Sequence, residues 1–269
     1  MHYREIPATG YLSHFVKEFW EYADVDTCVE HTILPDGVFD LIVEFSGGKI
    51  NLVKLTGIWT HPINVKNEKT THYFGIRFKL LAVEYLLNEE IKSILNTSKN
   101  LPLSFWNIAS YSQNDFEKFV KTSSEKILEL VQKQEIDSRK FKLFDLIYQN
   151  LGFSVEEISQ KIGWSDSQIN QYFNQQFGFS LKAFQNIIRC NASYEDIAQG
   201  DLFPNEHFYD QSHFIKEIKK HTQTTPLKLY KNQENRYLQI ETKKKINQIQ
   251  AIFTILVAQS AVFLSFDKL

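Results

Sequence analysis

Two short runs of this sequence carry side chains suited to nucleic-acid recognition. Ser167, Gln168, Asn170, Gln171 and Asn174 form the first, and the amides of Asn and Gln can bond adenine bidentately at its N6 and N7 edge. Lys216, Lys219 and Lys220 form the second, three and four residues apart, so on a helix they share one side and could hold phosphate oxygens. Gln211, Ser212 and His213 stand just ahead of those lysines, and Lys182 and Arg189 lie between the two runs. A third group, His31, His61 and His72 with Asp36, Asp40, Glu44 and Glu68, contains the residue types of metal and acid–base sites. No ligand spacing ties that group together. Scattered histidines ordinarily serve structure, so the expectation is no metal, no cofactor and no catalytic residue.

The elements that must position the first run are written out from Ser154 to Arg189. Ser154 with Glu157 is a capping box, Val155, Ile158 and Ile162 follow at the spacing of one buried helical face, and Gly163 supplies a left-handed stop. Ser165 with Gln168 is a second capping box. Ile169, Phe173 and Phe177 then make an apolar stripe that ends at Gly178, and Ser180 opens a third helix. Two short helices joined by a glycine-containing turn make a helix-turn-helix, whose second helix can lie in the DNA major groove.

The chain then repeats with a shift of 45 positions: Trp164 to Ile169 correspond to Tyr209 to Phe214, Phe173 to Ile218, and Phe184 to Leu229. Asp210 caps the second recognition-type helix, and Thr225-Pro226 is a cap with proline at the first helical position. Joined by a helix from Leu181 to about Ala198, the two units could enter major-groove segments roughly 34 Å apart. The second unit departs from the first in two places. Gly200, Asp201 and Pro204 interrupt its scaffold helix, leaving Leu202 to Phe208 as a one-turn substitute, and Gln223 stands where the first unit has Gly178.

Residues up to about Lys79 read as strands, in the runs Phe15 to Tyr22, Cys28 to Leu34, Val38 to Phe45, Lys49 to Ile58 and Thr70 to Lys79. Alternation is clearest at Asp40 to Phe45 and Tyr73 to Phe78, where one face is core and the other is solvent or the lining of a pocket. Leu80 to Leu87, Asp115 to Gln134 and Ser138 to Leu151 have helical periodicity. The fold class is therefore α+β: a β-rich sandwich or barrel-like domain over residues 1–110, a helical connector over 111–150, and an all-α domain with two helix-turn-helix units over 151–240. An apolar tail is read over 241–269. Within it Ile246 to Phe266 carries no charge, but Asn247, Gln248, Gln250 and Gln259 weaken it as a membrane span, and a packed helix is the expectation.

Composition bounds these readings. The 269 residues are 43% apolar, with 22 Phe and 12 Tyr, enough for a sizeable core. Cys28 and Cys190 have neither CxxC nor Cys/His spacing, so inert thiols in a reducing compartment are expected, and the opening MHYREIPATG lacks the basic region and apolar core of a secretory signal. That points to the cytoplasm. The net charge is -2, and Ser154 to Ile240 carry 9 basic and 10 acidic side chains, so nucleic-acid binding must depend on how the charges are distributed. The bare first helix, Asp166 to Phe177, has no Lys or Arg, which keeps a protein-interaction module with weak DNA binding as the alternative.

The pattern of Ser165, Ile169, Phe173, Gly178 and Ser180, followed by Tyr209 to Phe214 and Thr225-Pro226, resembles the AraC family of bacterial transcription regulators over about Ser154 to Lys231. The pieces ILPDG at Ile33 to Gly37, LTG at Leu55 to Gly57 and GIRF at Gly75 to Phe78 resemble the β-rich sensory or companion domain ahead of some members. The resemblance implies double-stranded DNA and RNA polymerase as partners, a small-molecule ligand at the amino-terminal domain, and room for a homodimer. Asp166 to Phe177 departs from the family, whose members commonly place several Lys or Arg there, so the amide and hydroxyl side chains above and His213 are the candidates for base reading, and Lys182, Arg189, Lys216, Lys219 and Lys220 for phosphate contacts.

Overall fold

The computed structural model describes residues 2–24, 30–66, 71–87, 91–203, 208–232 and 236–244. Eight strands come first: β1 (His2–Pro7), β2 (Val16–Asp24), β3 (Glu30–Ile33), β4 (Phe39–Ser46), β5 (Lys49–Thr56), β6 (Ile63–Lys66), β7 (Thr71–Phe78) and β8 (Ser98–Leu101). Six form an antiparallel sheet in the order β1-β2-β7-β4-β5-β8, and β3 pairs with β6 in a separate two-stranded sheet. Gly47 and Gly48 both have positive φ, which lets a two-residue turn join β4 to β5 with Ser46 opposite Lys49.

Alternation sorts the large sheet into two faces. Leu41, Val43 and Phe45 of β4 and Phe74, Ile76 and Phe78 of β7 are buried on the core side. Helix α1 (Phe116–Gln132) covers that side, with the Phe116 and Phe119 rings 5.2 and 5.4 Å from the Phe74 ring. Asp40, Ile42 and Glu44, with Tyr73, Gly75 and Arg77, take the other face. At Gly75 a Cβ would lie 2.0 Å from Trp20 Cε2, so glycine is what allows the indole to lie across the strand.

The helices follow as α2 (Ser138–Gln149), α3 (Val155–Ile162), α4 (Asp166–Gln176), α5 (Leu181–Gln199), α6 (Gln211–Thr222) and α7 (Pro226–Lys231). Both capping boxes form, Gly163 and Gly178 are left-handed, Ser180 caps α5, and Asp210 and Thr225 cap α6 and α7. Gln223 adopts the left-handed conformation, φ 58°, without the ease glycine would have.

One core runs from the sheet through α1 and α2 into α4 and the start of α5. Phe144 of α2 packs against Phe173 and Phe177, each about 6.0 Å between ring centres. A second core gathers Cys190, Tyr194 and Ile197 of α5, Phe214 and Ile218 of α6, and Leu229 of α7 around Leu34. Leu34 belongs to the loop between β3 and β4, so the amino-terminal domain contributes a side chain to the core of α5, α6 and α7.

The structure departs from the sequence reading in several elements. Strands β1, β6 and β8 were not among the expected runs: β1 and β6 mix charged and apolar residues, and β8 is polar. Leu80 to Leu87 forms only a helical turn at Val83–Leu87, because these residues are buried as a connection between sheet and helices. The one-turn substitute at 202–208 is not helical at residues 201–203 or 208–210, and 204–207 lie outside the described residues. Cys28, Glu68 and the tail 246–266 also lie outside them.

Residues 236–244 return to the sheet. Thr32 N donates to Arg236 O (2.6 Å), Tyr237 bridges to Thr32 in parallel, and residues 238–244 are helical. Gln239 grips Leu34 twice, accepting from its N–H at 3.0 Å and donating to its carbonyl at 2.8 Å. No helix among the described residues is long and apolar enough to cross a membrane.

Candidate functional site

The pair of helices α3 and α4 is fixed by its caps and its buried stripe. Gln168 N donates to Ser165 Oγ (3.2 Å) and Gln168 Oε1 accepts from Ser165 N (2.8 Å), while Ile169 and Phe173 are fully buried below. This leaves Ser167, Gln168, Gln171 and Asn174 exposed, with Asn170 half-buried. Asn170 and Asn174 donate their amides to carbonyls one turn back, Asp166 O at 3.1 Å and Asn170 O at 2.8 Å. An exposed amide on its own helix can exchange such a bond for a base edge. Tyr172 donates to Glu84 Oε2 (3.1 Å), and Lys140 pairs with the same carboxylate, so α4 is anchored to the segment that follows the sheet.

In the second unit, His213 N donates to Asp210 Oδ1 (2.7 Å), and the half-buried His213 ring packs on Phe208. Phe214 and Ile218 are buried; Gln211, Ser212, Lys216, Lys219 and Lys220 are exposed. Lys219 and Lys220 occupy the last turn of α6, where the helix dipole favours cations. Lys220 Nζ is 3.9 Å from Glu217, an exposed contact of little energetic weight. Lys182 is exposed on α5. Arg189 is half-buried with its Nε inside the protein and without a hydrogen-bond partner among the described residues, and burial lowers its pKa. Burial likewise pushes the neighbouring Cys190 thiol up to about 12, as suits an inert thiol.

The non-core face of the large sheet meets β3, β6 and residues 238–242 across a cavity of about 530 Å³. Its floor is a bonded group: Trp20 Nε1 donates to Asp40 Oδ1 (2.8 Å), Arg77 Nε donates to the same oxygen (3.3 Å), and a terminal nitrogen of Arg77 donates to Glu18. Asp36 reaches the cavity from the loop after β3, and its carboxyl is raised to about 6 by burial, against the opposing pull of Arg77. Trp59, Tyr3, Tyr22 and Tyr73 supply aromatic wall. Four of the seven His and acidic residues that the sequence left scattered, His31, Asp36, Asp40 and Glu44, therefore line one cavity. His72 is elsewhere, bonded to Glu21 (2.7 Å) on the core side, and His61 is exposed. Among the described residues no cluster of His, Cys, Asp and Glu could hold a metal ion.

The chain is thus an α+β protein whose antiparallel β domain precedes a helical region. Residues 4–100 match a family described as a domain of unknown function, DUF6597. No curated protein matches the chain. Solved structures similar to it include ToxT from Vibrio cholerae O395, at 12% identity and a TM-score of 0.43 over 80% of this chain and 98% of that one. Another is wild-type ToxT from Vibrio cholerae strain SCE256 with an unsaturated fatty acid bound, at 12% identity and a TM-score of 0.40 over 81% and 95% of the two chains. Likenesses this distant carry no argument about what the present chain binds.

Proposed function

We propose that the chain is a sequence-specific DNA-binding transcription regulator of the AraC type, acting in the cytoplasm and controlled by a small molecule in the β-domain cavity. The observation that carries the proposal is the pair α4 and α6. Each is capped at its start and seated on a buried stripe, and each leaves polar side chains exposed on its outer face. Ser167, Gln168, Asn170, Gln171 and Asn174 would read bases from α4, and Gln211, Ser212 and His213 from the start of α6. Lys216, Lys219 and Lys220 would supply the phosphate contacts that α4 lacks, with Lys182 and Arg189 along the connecting helix. RNA polymerase and a second copy of the chain are the partners that the family resemblance brings with it.

Control by a ligand is supported by the loop Ile33 to Gly37. It borders the cavity through Ile33 and Asp36, contributes Leu34 to the second core, and accepts a hydrogen bond from Tyr194 of α5 at Pro35 O (3.0 Å). A change in the cavity would be felt there first. The alternative, a protein-interaction module with little DNA binding, is favoured by one observation, the absence of Lys and Arg from α4. Nuclease footprinting on the DNA upstream of the protein's own gene tests the proposal. Two protected major-groove segments about one helical turn apart are expected; uniform cleavage at every protein concentration would favour the alternative.

A further inference from the structure

The β-domain cavity contains a buried carboxylate that the protein leaves largely uncompensated. From this we infer that the cavity's ligand is an organic cation, a protonated amine on an aromatic or aliphatic body, with the amine paired to Asp36. The inference deepens the ligand-controlled reading above and rests on it.

Asp36 is 7% exposed, and its hydrogen bond among the described residues is a long one, from Val38 N at 3.3 Å. The nearby guanidinium is already engaged. Arg77, with 19% of its side chain exposed, serves both Asp40 and Glu18, and Asp40 is further bonded by Trp20. Lys17 lies 4.0 Å from Glu18. The group around Arg77 thus sets three carboxylates, Glu18, Asp36 and Asp40, against one buried guanidinium and the Lys17 ammonium at its edge. A buried charge without a partner is strongly unfavourable, and an entering cation would relieve it. Lys54 and Lys66 also border the cavity, from β5 and β6, but no ion pair joins either to Asp36 among the described residues. An anionic ligand could meet those lysines, yet it would share the cavity with Asp36, Asp40 and Glu44.

The walls fit the same chemistry. Trp20, held flat across Gly75, and Trp59 with Tyr3, Tyr22 and Tyr73 offer ring surface that attracts cations and stacks on aromatic bodies. A volume of about 530 Å³ falls within the range of small-molecule sites and far exceeds what a bare metal ion fills.

The test is calorimetric titration of the full-length protein with tryptamine, phenethylamine and octylamine, and with indolepropionate, hydrocinnamate and nonanoate, acids of similar shape. At least one amine should bind about tenfold or more tightly than its matching acid, and D36N should weaken that binding by about tenfold or more. Preference for the acids, equal binding of amine and acid, heat from none of the amines, or amine affinity unchanged in folded D36N would overturn the inference. If D36N does not fold, the amine-over-acid selectivity of the unaltered protein decides the matter. DNA affinity measured on the same preparations separates the two claims. Amine binding without DNA binding would remove the regulator reading and leave the cation site; DNA binding with no amine selectivity would do the reverse.

Discussion

At the scale of single residues, the outer face of α4 carries amides and that of α6 carries lysines, and the proposed DNA contact gives them different work. Lys216→Ala should lower affinity for every DNA sequence alike and reduce the steepness of its salt dependence by about one counterion. Asn170→Ala or Gln171→Ala should instead change the preferred sequence and leave that slope alone. A binding-site selection followed by a salt series distinguishes them, and an unchanged site with both α4 variants would mean that this helix does not read bases. Asp36 has a stability signature of its own. Its carboxyl stands at about 6 in the folded protein against an ordinary 3.8, so between these values the folded chain holds a proton that the unfolded chain has released. This group therefore adds stability as pH falls through 6 and withholds it at neutral pH, by an amount on the order of 3 kcal/mol. Without ligand, Asp36→Asn should match or exceed the unaltered protein in urea unfolding near neutral pH, and its advantage should shrink toward about pH 4. Lower stability of Asp36→Asn near neutral pH would contradict this account.

At the scale of elements, the helical half was legible because its signals are local. Ser154 with Glu157 and Ser165 with Gln168 are caps that a few residues specify, and both boxes formed where the sequence puts them. The sheet was legible where alternation is strong, as in β4 and β7, and its non-core face lines a pocket, one of the two fates that alternation allows. Strands β1, β6 and β8 were not, since pairing with a neighbour sets them more than their own pattern does. The convergence of His31, Asp36, Asp40 and Glu44 could not be read from spacing either, because it depends on β3 folding over the large sheet. Gly75 carries an element-scale prediction. A methyl there would meet the Trp20 indole at 2.0 Å, so Gly75→Ala should destabilise the β domain by roughly 1–3 kcal/mol or more, as forced overpacking does, and displace the indole from the cavity floor. Thermal unfolding together with tryptophan emission checks it; unaltered stability and emission would contradict the packing described.

At the scale of the whole molecule, the contact between the β domain and helices α5 to α7 is made twice. Leu34 enters the second core, and residues 236–244 come back from the far end of α7 to hold Leu34 through Gln239. Neither link shows in sequence patterns, for Gln239 is an ordinary polar residue until it meets the β3–β4 loop. Gln239→Ala should weaken the effect of a cavity ligand on DNA affinity while leaving ligand affinity itself within about threefold. Full ligand response in that variant would place the coupling elsewhere. The modest net charge, -2, also belongs to this scale: the proposed DNA binding would have to draw on the lysines of α6 rather than on a general positive field.

The central claim is sequence-specific DNA binding, and the most direct test is affinity for fragments upstream of the protein's own gene and for shuffled controls across a salt series. The account predicts binding to one fragment at least about a hundredfold tighter than to its shuffled control, weakening steadily as salt rises. Equal affinity for both, or none for either, would contradict it.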